Sequence, residues 1–278
     1  MTFDMSEAWR DATAMIKANR EVLSVIAGIF FFLPSVASGF AVPGMDALVS
    51  DPEAMQAQVL AFYADWGWLL ALVALVQTVG YLGMLALLRD RSRPTVGQAI
   101  NTGLRGLLPA IGTFLLLILG MVLVGVVLGL LIGLMSAALG EAGGAVIGVA
   151  LGLGLLVFFV YLAVKLSLWA PVIAIDKAHN PLAVLRRSWR LTKGNALRLF
   201  LFYLLLVLVY VVISIVLGLL VGTLALVVGD SAGLIISAII SGLIGAVAAV
   251  IYVAVLAAAH RQLSGPWAMA ERTSEGAE

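Results

Sequence analysis

Long runs of apolar residues, separated by short polar segments, recur along the whole of this sequence. A helix needs about 20 apolar residues to cross roughly 30 Å of hydrocarbon, and six runs come close to or exceed that length. The runs cover residues 22–40, 68–88, 107–138, 145–175, 197–228 and 234–259. The pattern predicts an all-α, polytopic membrane protein with six transmembrane helices, several of them long enough to tilt or protrude.

The positively charged residues lie on one side only of these six runs. The connections after the first, third and fifth runs contain acidic residues such as Asp51, Glu141 and Asp230, and no Lys or Arg. Of the 16 Lys and Arg residues, all except Lys165, and Arg198 at the very start of the fifth run, fall in the other connections or near the two ends. Because short loops rich in Lys and Arg stay in the cytoplasm, we predict a multi-pass protein with both termini cytoplasmic.

The most basic stretch, residues 180–200, reads NPLAVLRRSWRLTKGNALRLF and leads into the fifth run. Asn180 suits a helix N-cap and Pro181 suits the first turn, whereas the pair Gly194-Asn195 is typical of a helix stop. Wound as a helix, the stretch presents an apolar face that includes Trp189, and an opposite basic face. The basic face consists of Arg186, Arg187, Arg190 and Lys193. We predict an amphipathic helix lying on the membrane surface.

Two interpretations of the basic face stay open. Each basic residue near an anionic leaflet contributes about 1 kcal/mol of attraction, which suffices to dock the helix on the inner leaflet without further specificity. The alternative is that the same face recognises a particular anionic headgroup. Either interpretation makes membrane phospholipid the expected partner of this segment.

Lys165 is the one ionisable residue clearly inside a predicted span. Asp176 and Lys177 end the same helix, which places Lys165 about 15 Å from the cytoplasmic boundary at 1.5 Å per residue. That depth is too great for easy snorkelling, and charges within spans usually face a cavity or a partner. Lys165 either binds a lipid phosphate or another polar ligand in a cleft open to the cytoplasm, or has its charge satisfied by helix ends or water.

Similar phrases recur in alternate runs: Tyr81-Leu-Gly-Met, Tyr161-Leu-Ala-Val and Tyr252-Val-Ala-Val. Glycine-rich turns starting at Gly140 and Gly229 join the third run to the fourth and the fifth to the sixth. We therefore predict one membrane domain over 1–278, built from three pseudo-repeats of an interfacial amphipathic helix plus a helical hairpin. Their bounds are 4–92, 93–179 and 180–265, with a flexible tail over 266–278.

Glycines recur at every fourth position of the longest runs. Small residues follow this spacing at Gly125, Gly129 and Gly133 on the third span, Gly144, Gly148 and Gly152 on the fourth, Gly218 and Gly222 on the fifth, and Gly233, Ser237, Ser241 and Gly245 on the sixth. Small residues at this spacing let helix backbones approach closely in lipid. The spacing therefore predicts tightly packed hairpins, with a glycine-lined pore as the alternative.

The composition of the chain and the absence of known motifs argue against several kinds of functional site. The chain is 63% hydrophobic and 11% charged, its net charge is +1, and it has no cysteine, so neither nucleic-acid binding nor disulfide or thiol chemistry is expected. The two histidines, His179 and His260, have no histidine or carboxylate at the four-residue spacing of a metal site, and no phosphate-binding loop or nucleophile motif occurs. We expect no metal, no cofactor and no enzymatic activity.

Residues 161–176, YLAVKLSLWAPVIAID, and residues 188–195, SWRLTKGN, resemble the signature of the membrane domain attached to some bacterial glycerophosphodiester phosphodiesterases. The resemblance implies a helical protein of the bacterial inner membrane with about six spans. It does not imply phosphodiesterase activity, because the hydrolase of the fused proteins is a separate barrel of about 250 residues for which this chain has no room.

The expected function is that of a non-enzymatic inner-membrane protein that binds, organises or moves phospholipid at the cytoplasmic leaflet. Its expected ligand-binding residues are Lys165, Arg186, Arg187, Trp189, Arg190 and Lys193. A small-molecule transporter or channel is the alternative, since Pro34 and Pro109 interrupt spans and broken helices mark many transporter sites. The sequence leaves open whether the chain pairs with itself or with another membrane protein.

Overall fold

The structure, a computed structural model, describes residues 2–41, 55–89 and 95–275, and every regular element among them is helical. A π-helical turn, Gly28–Phe32, connects the first two α-helices. The α-helices are α1 (Met5–Ala27), α2 (Leu33–Ala41), α3 (Met55–Arg89), α4 (Val96–Leu166), α5 (Trp169–Ala174), α6 (Pro181–Leu191), α7 (Ala196–Val228) and α8 (Asp230–Glu275).

Six helical segments of the described residues are long and apolar enough to cross a membrane, which confirms the predicted fold class. The predicted runs lie within these segments apart from one residue at the end of the fourth. The segments are Met5–Ala41, Ala57–Arg89, Val96–Gly140, Ala142–Ala174, Ala196–Val228 and Ala232–Gly265. α8 continues to Glu275, into the stretch for which the sequence predicts a flexible tail. The acidic connection that contains Asp51 lies outside the described residues.

Single glycines with positive φ separate the paired spans. Gly140 (φ 76°) interrupts the long helix α4, and Gly229 (φ 86°) stands between α7 and α8. Residues with a Cβ rarely adopt this conformation, so glycine is what permits the chain to reverse within so few residues. The glycine-rich turns predicted from the sequence are therefore little more than one residue long in the structure.

Three side-chain N-caps mark helix starts near the predicted repeat boundaries. Asp4 Oδ1 accepts a hydrogen bond from the backbone of Glu7 at 2.9 Å, and Asn180 Oδ1 accepts one from the backbone of Leu182 at 3.0 Å. Thr95 and Gln98 cap each other reciprocally, at 3.0 and 3.4 Å. These caps satisfy backbone donors that a helix start leaves free.

A separate surface helix is seen only in the third predicted unit, where α6 ends at Leu191. The corresponding helix of the first unit merely kinks at Asn19, and α4 runs without a break from Val96 through Pro109. The three-fold repeat therefore stays a prediction.

The chain divides into two compact units that interleave in sequence. One consists of Met1–Phe3, Leu108–Leu201 and His260–Glu278, and the other of Asp4–Leu107 and Phe202–Ala259. In the second unit, a Cβ at Gly80 would meet the ring of Phe30, and one at Gly103 would meet the carbonyl of Val79. Close backbone approach in this unit is therefore made by these glycines.

The regularly spaced glycines have a different environment from the one predicted. Added Cβ atoms at Gly125, Gly129, Gly133, Gly218 and Gly222 would all stand in open space. The prediction that this spacing brings helix backbones together is wrong for these five positions within the described chain. It is confirmed at Gly144 and Gly233, where an added Cβ would meet Ser136 and Ala225 of the preceding span. Gly218 and Gly222 line a cavity together with Ser237 and Ser241 of α8, so a helix lies opposite these two glycines without touching them.

Candidate functional site

The carbonyl group of Lys165 anchors the candidate site. α4 ends at Leu166, and the last carbonyls of a helix have no intrahelical partner. Two hydroxyl groups of the α6 segment donate to the Lys165 carbonyl, Ser188 Oγ at 3.1 Å and Thr192 Oγ1 at 3.1 Å. Both residues are fully buried, so polar contacts hold the surface helix against the end of the fourth span.

The side chain of Lys165 is enclosed by aromatic rings. The residue is 4% exposed, and its Nζ lies 5.2 Å from the ring centroid of Trp189 and 5.8 Å from that of Tyr161. The two rings meet edge to face, with centroids 5.9 Å apart. Ammonium groups are attracted to aromatic faces at such distances. Within the described chain, no carboxylate pairs with Lys165.

Helix α6 has three faces rather than two. One face, buried in the protein, comprises Val184, Ser188 and Leu191. The second is apolar yet uncovered, with Leu182 53% and Trp189 40% exposed. The third is basic and exposed, with Arg186 and Arg190 on the helix and Lys193 in the turn just after it. The helix predicted from residues 180–200 is confirmed, and its contact with the protein uses the apolar Val184 and Leu191 together with the polar Ser188.

Arg187 has a partner away from Lys165. Its Nε lies 3.2 Å from Asp176 Oδ2. On the other side of the same carboxylate, His260 Nε2 lies 3.2 Å from Oδ1, an approach that is outside hydrogen-bond alignment. Burial alone raises the pKa of Asp176, but the neighbouring His260 and the Arg187 guanidinium outweigh it and hold that pKa below its ordinary value.

The N-terminal segment is hydrogen-bonded to the turn that follows α6 and to the start of α7. The backbone N–H of Phe3 donates to Asn195 Oδ1 at 2.8 Å, and Arg198 Nη1 reaches the Phe3 carbonyl at 3.5 Å. Phe3 and Asn195 are both buried. The turn between α6 and α7 is thereby fixed from a second direction.

Of the six sequence-predicted residues, the structure brings Lys165 and Trp189 into contact and leaves Lys193 exposed in the turn after α6. It draws Arg187 into the ion pair with Asp176 and leaves Arg186 and Arg190 exposed. No cluster of three His, Asp or Glu side chains able to hold a metal ion occurs in the described residues.

Sequence reasoning missed several residues of the site. Tyr161 precedes Lys165 by one helical turn, a spacing that stacks side chains on one face. Ser188 and Thr192 also stand one turn apart on α6, a usable signal for a polar contact face. The approach of His260 to Asp176 joins distant parts of the chain, and no local pattern could have shown it.

The six apolar helices, with a buried cation at the end of the fourth, define a multi-pass α-helical membrane protein. Residues 22–263 match the family described as a domain of unknown function (DUF7847), and the chain belongs to that family. No curated protein and no solved structure matches the chain. The family match carries no activity, and the resemblance to glycerophosphodiester phosphodiesterase membrane domains stays a prediction.

Proposed function

We propose that this protein is a non-enzymatic component of the bacterial inner membrane that binds phospholipid at the cytoplasmic leaflet. The lipid phosphate binds at Lys165, and the basic face of α6 provides the surrounding positive charge. In this proposal both termini are cytoplasmic, as the one-sided distribution of Lys and Arg indicates.

The observation that carries the proposal is the state of the Lys165 ammonium group. The residue as a whole is 4% exposed, and its ammonium group has no carboxylate partner in the described residues. A buried charge is costly unless it is paired, and an ionisable group within a span is by default a functional one. Aromatic rings offset part of the cost, and a phosphate would offset the rest.

The charges around Lys165 support an anionic ligand. Arg186 and Arg190 are exposed on α6, and Lys193 is exposed in the turn that follows it. An anion placed among these groups relieves their repulsion and gains charge-assisted hydrogen bonds. The uncovered apolar face with Leu182 and Trp189 suits contact with acyl chains beside the headgroup.

Replacement of Lys165 by Met tests the proposal, because it keeps the length of the side chain and removes the charge. Lys17→Met is the matched control, since Lys17 is exposed and lies on the same predicted side. In the full-length protein, native mass spectrometry and thermal unfolding compare phosphatidylglycerol with phosphatidylcholine. We expect Lys165→Met to bind phosphatidylglycerol at least about tenfold more weakly, whereas Lys17→Met binds it like the wild type.

The lipid-free stability of the same variant separates a binding role from a structural one. Removing an unpaired buried charge leaves stability unchanged or raises it. Loss of a purely structural cation–π contact lowers it instead. Unchanged phosphatidylglycerol binding together with a lowered melting temperature would refute the proposal.

A small-molecule transporter or channel is the second candidate. The π-helical turn Gly28–Phe32 in the first span favours it, because π-turns within helices often mark functional positions and interrupted spans line many transport pathways. Flux of solute into proteoliposomes, lost on restoring a regular α-helix in this turn, would favour transport over lipid binding.

A further inference from the structure

A cavity of about 500 Å³ lies between α7 and α8, and all the residues that line it belong to one compact unit. Both walls lie in segments that are long and apolar enough to cross a membrane, so the cavity lies at the depth of the hydrocarbon layer. Gly218, Gly222 and Ser241 are exposed on its walls, which opens the cavity sideways to the surrounding lipid. Its volume is typical of a ligand-binding site.

The cavity is long and narrow. Its lining extends from Tyr210 to Ala225 on α7 and from Gly233 to Ile244 on α8, which is about 22 Å and 16 Å along the helix axes at 1.5 Å per residue. The volume of about 500 Å³, spread over that length, gives a cross-section of about 20–30 Å². One extended hydrocarbon chain fits that width, whereas two chains side by side or a fused ring system do not.

The lining favours an uncharged and mostly apolar ligand. Aliphatic residues such as Leu217, Val221 and Ile240 make up much of the lining, and none of the described residues in it is charged. A phosphate or a carboxylate would therefore enter without a counter-ion, and a buried charge without a partner is costly. A phospholipid headgroup does not suit this cavity for that reason.

Ser214 gives the lining a polar group that lacks a partner. Its side-chain oxygen is buried and has no hydrogen-bond partner among the described residues. Serines inside helices commonly donate to a carbonyl of the preceding turn, as Ser237 on the opposite wall does to Leu234 at 2.9 Å. Within a membrane span there is little water to replace a missing partner. A rotation about the Cα–Cβ bond of Ser214 turns its hydroxyl to the cavity, where a ligand can complete the bond.

We infer that the cavity between α7 and α8 binds an uncharged, single-chain lipid that carries a hydroxyl group, the class of the long-chain alcohols. The hydroxyl of the lipid bonds to Ser214, and its chain lies along the aliphatic walls towards the turn at Gly229. Gly218 and Gly222 leave room for the chain, since a Cβ added at either would stand in open space. Lys165 belongs to the other compact unit, and the inference does not rest on the function proposed for it.

Photocrosslinking of the full-length protein in phosphatidylcholine nanodiscs tests the site. The probe is oleyl alcohol with a diazirine in its chain, and mass spectrometry locates the crosslinks, which we expect within residues 210–225 and 233–244. Unlabelled oleyl alcohol should compete about tenfold more strongly than cis-9-octadecene, the same chain without the hydroxyl, because it makes one additional hydrogen bond away from water. Ionised oleate should compete no better than the hydrocarbon.

Gly218→Leu should abolish these crosslinks by filling the cavity. The variant should fold, because a side chain at this position meets open space and leucine favours a helix. Gly222→Leu should act in the same way and provides a second variant. Gly125→Leu is the matched control, since a Cβ there also stands in open space but lies outside the cavity, and it should keep the crosslinks.

Ser214→Ala should remove the preference for oleyl alcohol over cis-9-octadecene. It should leave the lipid-free melting temperature unchanged or raise it, because no internal hydrogen bond is lost. Ser237→Ala, whose hydroxyl is bonded within its own helix, should keep the preference. Equal competition by the two compounds in the wild type, crosslinks confined to other residues, or crosslinks that survive both leucine variants would overturn the inference.

Lys165→Met separates this site from the proposed phosphate site. It should leave crosslinking by the uncharged probe unchanged, whatever its effect on phosphatidylglycerol. Loss of the crosslinks in Lys165→Met would overturn the inference of an independent neutral-lipid site. Phosphatidylglycerol binding that is unchanged in Lys165→Met, with the crosslinks retained, would count against the proposed function alone.

Discussion

At the scale of single residues, the Lys165 carbonyl shows how a helix end can become an attachment point. Two hydroxyl donors from α6 reach it, both at 3.1 Å. Thr192 Oγ1 also lies within 3.2 Å of carbonyls on its own helix, and one hydroxyl donates one proton at a time. Ser188 Oγ therefore donates mainly to the Lys165 carbonyl. Thr192 Oγ1 divides its one proton among the carbonyls of Lys165, Ser188 and Trp189.

Ser188→Ala and Thr192→Val should for this reason be strongly non-additive. Either change alone leaves one donor and should lower the free energy of unfolding by less than about 1 kcal/mol, whereas the double variant strands a buried carbonyl and should lower it by about 2–3 kcal/mol. Denaturant unfolding in mixed micelles measures the cycle. Thr223→Val, whose hydroxyl contacts only its own helix, should have almost no effect, and an additive double variant would contradict this account.

A residue's role could be predicted from the sequence when its partners are near it in the chain, and could not when they are distant. Lys165 is evident because a charge inside an apolar run is costly wherever the helix packs. Its contact with Trp189 is not evident, since it depends on how α6 is placed against α4. The pairing of Arg187 with Asp176 likewise came from the fold, and sequence alone assigned Arg187 to the lipid-facing set.

At the scale of elements, the caps decide where the helices begin. α6 has 11 residues, and a helix of that length is marginal in water without tertiary contacts. Asn180 caps it through two backbone donors. The short helix that carries most of the candidate site therefore depends on one amide side chain at its start.

Asn180→Ala should reduce the stability of α6 by about 1 kcal/mol. The loss should be local, because α7 and α8 do not use this cap. Hydrogen exchange of residues 181–191 measures it, with residues 245–255 of α8 as the internal reference. Asn180→Asp should retain most of the protection, and equal loss in both segments would argue against a capping role.

The attachment of α6 through Asp176 has a defined acid limit. Because the pKa of Asp176 is held below its ordinary value by His260 and Arg187 despite burial, the carboxylate stabilises the folded state above that ordinary value, and the contribution is lost as the pH falls through the folded pKa. The difference in melting temperature between wild type and Asp176→Asn should be present at pH 6 and close below about pH 4. For Asp65→Asn, at an exposed position, the difference in melting temperature from the wild type should not change between these pH values.

The spanning helices were predicted from the sequence more accurately than the contacts of single residues. Length and apolarity alone placed all six spans, because the width of the hydrocarbon layer fixes the length that a spanning helix needs. The third face of α6 was not predicted, since Val184 and Ser188 have no distinctive pattern until a neighbouring helix end is known. The regularly spaced glycines were only partly informative, since spacing does not show how closely the opposite helix approaches.

At the scale of the whole molecule, the one-sided positive charge makes a prediction about orientation. The chain has no cysteine, so single cysteines report their own accessibility. Ala142→Cys, just after the break at Gly140, should react with a membrane-impermeant maleimide added to intact cells. Ala183→Cys, on α6, should react only after permeabilisation. The opposite pattern would reverse the orientation and remove α6 from the cytoplasmic leaflet.

The division into two interleaved units could not be predicted. The sequence suggests consecutive repeats, because periodic phrases follow one another along the chain. Compact units instead recruit residues 108–201 and 260–278 into one group and the remaining spans into another. Such grouping depends on contacts between distant segments, which phrases within apolar runs do not encode.

The third, fourth and fifth spans contain no buried residue in their most apolar 18-residue stretches. The described chain itself therefore leaves these side chains uncovered. For these helices, the host membrane's fatty chains take over what core side chains do in a water-soluble fold, and their length and unsaturation become structural variables. Moving the protein to a thinner bilayer should accordingly perturb it as a set of core substitutions would.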